Sequence, residues 1–186
     1  MKYKLASSSW DHKETDAMQK VIESGFFTMG KNVEKFESLF SDFFASKYAV
    51  MVNSGSSANL LSVAALFYLK SKPLKRGDEV IVPSVSWSTT YSPLQQYGLK
   101  VKFVDISLDT LNFDTDKLKK AITEKTRLIF AVNILGNPNE FMKINNIIGD
   151  KNIYLLEDNC ESMGAKYKKK YLGCVGDVGV VSYDYG

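Results

Sequence analysis

The sequence predicts an α/β protein: a mainly parallel (mixed) sheet with helices on both faces. Three observations predict it. From Glu79 onward, short apolar runs rich in β-branched residues alternate with segments of helical periodicity. Strands separated regularly by helices imply βαβ crossovers, which place parallel strands side by side and cover both faces of the sheet. No internal repeat, low-complexity tract or linker interrupts the 186 residues, so they read as one α/β domain.

The elements follow in order. Trp10 to Ser24 carries Ala17, Met18, Val21 and Ile22 at helical spacing, with Asp11 as a cap and Gly25 as a stop. Lys31 to Ala45 repeats the pattern through Val33, Phe36, Leu39, Phe40, Phe43 and Phe44. Tyr48 to Asn53 is a short β-rich run ending in a glycine-containing turn, and Ser57 to Leu69 reads as a buried helix. Strands are then expected at Glu79–Pro83, Val101–Asp105, Thr126–Val132 and Ile153–Glu157. The helices between them are expected at Trp87–Tyr97, Thr115–Ile122 and Glu140–Ile148. Ala165–Tyr167 and Val178–Tyr183 are two further short strands.

Composition narrows the function. Apolar residues make up 45% and charged residues 24%, the balance of a globular chain, and the net charge of +3 is spread along it. The densest basic cluster, Lys166 to Lys170, falls in an expected hairpin and reads as a solvated turn; no nucleic-acid motif accompanies it. Cys160 and Cys174 fit no zinc or CxxC spacing, and His12 is the only histidine, which argues against a metal site and against a Ser-His-Asp triad. The longest apolar run, Val63 to Leu69, is too short to span a bilayer, and Met1 to Leu5 has no apolar stretch of signal-peptide length. The expectation is a cytoplasmic protein with no membrane and no nucleic-acid partner.

Three places in the chain carry chemistry. Asn53-Ser54-Gly55-Ser56-Ser57-Ala58-Asn59 joins a β-rich run to an apolar helix, and a glycine followed by serines at a helix N-terminus suits a phosphate. The alternative is simple serine capping. The segment is not GxGxxG and no Walker lysine follows, which disfavours dinucleotide and nucleoside-triphosphate readings. The apolar run at Leu155-Leu156 ends in two acids, Glu157 and Asp158, and a carboxylate at a strand tip lies where open α/β sheets place their ligand crevice. It would act there as a base, a metal ligand, a partner for a buried cation or merely a turn cap. Glu161 follows three residues later and would face the same crevice. Trp87 follows the strand ending at Pro83, among Ser84, Ser86, Ser88, Thr89 and Thr90, and reads either as a core indole or as a flat surface for a ligand. Each of these places follows a different strand at its C-terminal end. A phosphate seat, a stacking ring and an acid for a ring nitrogen are the parts that hold pyridoxal phosphate, whose pyridinium must stay protonated to accept electrons.

Four stretches carry a resemblance: Phe27-Thr28-Met29-Gly30 with Phe36-Glu37, Asn53 to Asn59, Gly77-Asp78-Glu79-Val80-Ile81-Val82-Pro83, and Glu157-Asp158-Asn159-Cys160-Glu161-Ser162-Met163-Gly164-Ala165. They are similar to the DegT–StrS group of pyridoxal-phosphate nucleotide-sugar aminotransferases and dehydratases, of fold type I. The likeness runs from Leu5 to Gly186, about the first half of such an enzyme. It implies the large-domain core of that fold, cut at its C-terminus, without the small domain. It also implies roles. Gly55, Ser56 and Ser182 would hold the cofactor phosphate, Trp87 would stack on the pyridine ring, Asp158 would pair with its nitrogen, and Glu161 would hydrogen-bond its phenolic oxygen. Glu161, with Leu5 to Trp10 and Ser86 to Tyr91, resembles the branch of 4-keto-6-deoxyhexose 3-dehydratases that serve colitose-type, O-antigen sugar synthesis. The runner-up is a nucleotide-4-keto-sugar aminotransferase, which the ending Ser182-Tyr183-Asp184-Tyr185-Gly186 resembles; a binding-only or inactive fragment is the reading from another class. The implied partners are pyridoxal or pyridoxamine phosphate, a nucleotide-linked 4-keto sugar, glutamate as amino donor and a second copy of the chain. The Schiff-base lysine, or the histidine that replaces it in dehydratases, is expected just after Gly186, so no catalytic acid–base residue is assigned within the chain.

Overall fold

The computed structural model describes residues 10–183; Met1 to Ser9 and Asp184 to Gly186, including the Leu5 to Ser9 stretch of the resemblance, lie outside the described residues. The chain forms two compact units, the first ending at Met51 and the second beginning at Val52.

The first unit holds two helices. Asp11 caps α1 (His12–Ser24) through a capping box with Glu14, and Gly25 closes it in the left-handed conformation, as the sequence predicts. In α2 (Lys31–Phe44) the rings of Phe36, Phe40 and Phe44 recur every four residues and stack along one face, with centroids 5.8 and 4.4 Å apart. The expected β-rich run at Tyr48–Asn53 forms no strand. Its Met51 N–H donates to Glu37 Oε1 at 2.7 Å, so a side chain takes the donor that a ladder would have used.

The second unit is a five-stranded sheet of β1 (Glu79–Pro83), β2 (Lys100–Val104), β3 (Thr126–Val132), β4 (Tyr154–Asp158) and β7 (Val178–Val180), in the order β2-β1-β3-β4-β7. Every pairing in it is parallel. The strands are crossed by α4 (Ser88–Gln96), α5 (Thr115–Ala121) and α6 (Phe141–Ile148), and α3 (Gly55–Phe67) precedes them. β5 (Lys166–Tyr167) and β6 (Lys170–Tyr171) form a separate hairpin, so the basic tract is a tight turn with Lys168 in the left-handed region.

Alternation along the strands sorts the core into two layers. Val80, Val82, Leu128, Phe130 and Leu156 face α3 and α4, where they pack with Val63, Leu66 and Leu94. Ile81, Ile129, Ala131 and Leu155 face the other way, onto Leu118 of α5 and Phe141 and Ile144 of α6. Most of these side chains are fully buried, each contributing about 1.5–3 kcal/mol. β1 has β2 on one side and β3 on the other, so the strand order reverses between β1 and β3. The crevice of an open α/β sheet lies outside the strand ends at such a reversal.

Two boundaries differ from expectation in ways that matter. α3 begins at Gly55 rather than Ser57, because Ser54 caps it and brings Gly55 and Ser56 into the first turn. The last strand ends at Val180, so Ser182 lies on the segment that leaves the sheet.

Candidate functional site

The tip of β4 presents two acids in succession, and the strand's period of two turns them to opposite faces. Asp158 shares its face with Leu156, toward α3 and α4. It is 5% exposed, and its carboxylate accepts three hydrogen bonds. Asn59 Nδ2 donates to Oδ2 at 3.0 Å, Thr90 Oγ1 donates to the same oxygen at 2.8 Å, and the Cys160 N–H donates to Oδ1 at 3.2 Å. Bonds to a charged group contribute about 1.5–3 kcal/mol each, enough to hold a carboxylate out of water. Glu157, 0% exposed, turns to the α5/α6 side and accepts from Asn133 Nδ2 and from the N–H groups of Gly173, Val175 and Gly176 at 2.6–3.1 Å.

At the start of α3, Ser54 Oγ accepts from the Ser57 N–H and Ser54 O from the Ala58 N–H. The N–H groups of Gly55 and Ser56 have no acceptor within the helix. Serine capping is therefore present, but it uses Ser54 and Ser57 and leaves the Gly55–Ser56 pair for an anion. Gly55 is hemmed in: a Cβ there would stand 2.9 Å from Ser182 Cβ, 3.1 Å from Ser182 Oγ and 3.0 Å from Cys160 Sγ. The fold thus carries Ser182, on the chain leaving β7, to the first turn of α3. Burial first, and then the neighbouring Asp158 charge, pushes the Cys160 thiol well above the ordinary range, so this sulfur is a packing group and no nucleophile.

Trp87 sits at the N-cap position of α4 and is 69% exposed, which excludes the core-indole reading. Its carbonyl accepts from the Thr90 N–H at 3.0 Å, and Thr90 is the residue that donates to Asp158, so the loop bearing the ring is tied to the buried acid. Tyr91 Oη donates to Pro83 O at 2.8 Å and anchors the other end of that loop; burial raises the pKa of this phenol. Glu161 is exposed, and its Oε2 accepts from the Leu135 N–H at 3.3 Å. Leu135, 73% exposed with φ 53°, is a left-handed non-glycine residue in the turn that leaves β3. Gly136 N–H donates to Ser162 Oγ at 2.9 Å and fastens the same turn to the chain after β4.

All six residues singled out in the sequence therefore stand at the C-terminal edge of the sheet. Gly55 and Ser182 meet at one point, with Ser56 the next residue in the first turn of α3, and Cys160 links that point to Asp158. Trp87 reaches Asp158 through Thr90, while Glu161 meets the β3 exit. Sequence reasoning gave no role to Asn59, Thr90, Ser86 or Leu135. The signal for Asn59 was available: a lone amide inside the apolar run Ala58 to Leu61 is a buried polar group in need of a partner. Leu135 carries no such mark, because its backbone conformation comes from the turn around it.

The chain as a whole is similar to known proteins. The chain belongs to the DegT/DnrJ/EryC1/StrS aminotransferase family, whose model matches residues 8–185. It is 61% identical, over 97% of its length and 46% of the relative's, to GDP-4-keto-6-deoxy-D-mannose 3-dehydratase of Yersinia pseudotuberculosis. Among solved structures, it superposes with a TM-score of 0.96 and 59% identity on a variant of GDP-4-keto-6-deoxymannose-3-dehydratase with bound GDP-perosamine, covering 99% of this chain and 48% of that one. A structure of that dehydratase with a trapped PLP-glutamate geminal diamine matches at a TM-score of 0.91 and 60% identity, over 94% of this chain and 45% of the other. The chain spans about half the length of the relatives it matches. The parallel sheet and helices are the α/β fold of those pyridoxal-phosphate enzymes. No helix among the described residues is long and apolar enough to cross a membrane.

Proposed function

We propose that residues 1–186 belong to the pyridoxal-phosphate-binding large domain of a nucleotide-sugar enzyme, a 3-dehydratase acting on GDP-4-keto-6-deoxymannose in dideoxysugar synthesis. The observation that carries this reading is the 61% identity, over nearly the whole chain, to a protein of that name. The site fits the cofactor: the cradle at Gly55 has no room for a side chain, and the buried Asp158 carboxylate is held by donors at the same edge. When bound, the cofactor supplies an electron sink that stabilises negative charge beside the sugar carbon losing its proton.

The chain's own residues have four tasks. The Gly55 and Ser56 N–H groups, the Ser56 hydroxyl and the Ser182 hydroxyl hold the phosphate, which the α3 N-terminus favours electrostatically. Trp87 offers its face to the pyridine ring. Asp158 accepts the ring N–H and keeps the proton there. Glu161 would hydrogen-bond the phenolic oxygen. Glutamate is the proposed amino donor, a homodimer the proposed assembly and the cytoplasm the proposed setting.

The test supplies the full-length polypeptide with pyridoxamine 5′-phosphate, GDP-4-keto-6-deoxymannose and glutamate, and follows the sugar by mass spectrometry. The expected product is the 3-deoxy sugar, with 2-oxoglutarate formed from glutamate. A 4-amino sugar that retains its 3-hydroxyl would replace this reading with the aminotransferase one. Absence of cofactor binding would remove both.

A further inference from the structure

Asp158 is served by a directed chain of hydrogen bonds, and its direction follows from the groups themselves. A carboxylate only accepts, so Thr90 Oγ1 commits its one proton to Asp158 Oδ2 at 2.8 Å. Ser86 Oγ lies 2.9 Å from Thr90 Oγ1, and with that proton spent, the Ser86 hydroxyl must donate. Asn59 is fixed in the same way. Its Nδ2 faces Asp158 Oδ2 at 3.0 Å and Thr89 O at 3.4 Å, both acceptors, so the amide has one allowed orientation. That orientation leaves Asn59 Oδ1 buried with no hydrogen-bond partner among the described residues, in a side chain only 1% exposed. An orphaned buried acceptor costs stability, so the amide is held there for what it does to Asp158 rather than for the core.

Resting on the cofactor reading above, we infer that Ser86, Thr90 and Asn59 are positioning residues that choose which oxygen of Asp158 meets the cofactor. Asn59 and Thr90 fill both acceptor directions of Oδ2. Among the described residues, Oδ1 accepts the Cys160 N–H at 3.2 Å and the Cys160 thiol, a weak donor, lies beside the carboxylate, so Oδ1 is the less committed of the two oxygens. Oδ1 is therefore the oxygen offered to the ring nitrogen. Because Ser86 precedes Trp87, the same chain sets the aromatic loop and the carboxylate in register. A residue deeper in the core would stabilise the fold without this directional effect.

The decisive experiment compares two ligands on the full-length protein: pyridoxamine 5′-phosphate and its 1-deaza analogue, which has carbon in place of the ring nitrogen. Thr90→Val keeps the shape and removes the donor; Thr90→Ser restores it. Thr90→Val should weaken pyridoxamine 5′-phosphate about ten-fold, the scale of one hydrogen bond to a charged group, and leave the deaza analogue within about two-fold. Thr90→Ser should recover most of the loss. Equal weakening of both ligands, or of neither, overturns the assignment. If Thr90→Val does not fold, Ser86→Ala gives the answer, since it leaves Thr90 in place; a smaller loss, again confined to the nitrogen-bearing ligand, is expected, and a loss shared by both ligands overturns it. Wild-type protein that binds the two ligands equally would remove the ring-nitrogen role of Asp158, and this inference with it.

Discussion

Glu157 and Asp158 are adjacent, both buried and, among the described residues, both without a cation as hydrogen-bond partner, yet they serve opposite ends. Glu157 accepts mainly from backbone N–H groups of the turn before β7, at Gly173, Val175 and Gly176. Its donors close around it and stitch that turn to the sheet. Asp158 accepts from the side chains of two helices and one N–H, and one of its oxygens is less committed than the other. A carboxylate ringed by main chain organises a fold, whereas one ringed by side chains at the sheet edge is set up to meet something else. The glycines agree: a Cβ at Gly179 would collide with Gly173 O and one at Gly176 would lie 2.5 Å from Leu155 O, so the Glu157 side is packed main chain against main chain.

The largest effect should come from Glu157. Glu157→Leu strands the turn's donors and should cost about 3–5 kcal/mol in urea unfolding, enough to remove most soluble protein. Asp158→Asn, which keeps the shape and an acceptor oxygen, should cost no more than about 1–2 kcal/mol in the same assay while lowering pyridoxamine 5′-phosphate affinity at least ten-fold. Similar stability losses at the two positions would erase the distinction between them.

Gly55→Ala should fall next. Its Cβ meets Ser182 and Cys160 and intrudes where phosphate would sit, so affinity for pyridoxamine 5′-phosphate should drop about ten-fold with a stability change near 1 kcal/mol, read by isothermal titration and thermal melting. Unchanged affinity would place the phosphate elsewhere.

Cys160 gives a pH test of the Asp158 side. Burial and then the Asp158 charge raise its pKa, so the folded chain holds the thiol proton more tightly than the unfolded chain. Iodoacetamide labelling at a pH of about 8.5, where an ordinary thiol is half ionised, should be at least about ten-fold slower at Cys160 in the folded protein than in urea. The same sign means that Cys160 leaves stability untouched below the ordinary thiol range and subtracts from it as pH rises through and above that range. Rapid labelling of the folded chain would show an open site in place of a packed one.

The smallest effect should be at Leu135, whose exposed side chain makes no demand on the core. Leu135→Gly relieves a left-handed φ and should be neutral or stabilising by up to about 1 kcal/mol. A clear loss of stability would assign the leucine a packing role.

Much of this was legible in the sequence because it is local. The capping box at Asp11, the strand from Glu79 to Pro83 and the acid at the end of β4 are matters of periodicity and short-range hydrogen bonding. The run at Tyr48–Asn53 was misread for the complementary reason: β propensity makes no strand unless a neighbour supplies a ladder, and Glu37 took the Met51 donor instead. The glycine and serines at 54–57 announced a helix start, but the two further residues that bring Gly55 inside α3 depend on which serine caps.

The sequence by itself determined the α/β architecture, the placement of Asp158 at a strand tip and, through the period of two, its separation from Glu157 onto opposite faces. Only the tertiary structure decided that Asn59 and Thr90, 99 and 68 residues from Asp158 along the chain, would both spend a donor on one of its oxygens. The same holds for Ser182 closing against Gly55. Periodicity fixes which way a side chain leaves its own element. Which side chains meet depends on strand order, register and helix packing, and those are settled when the elements come together.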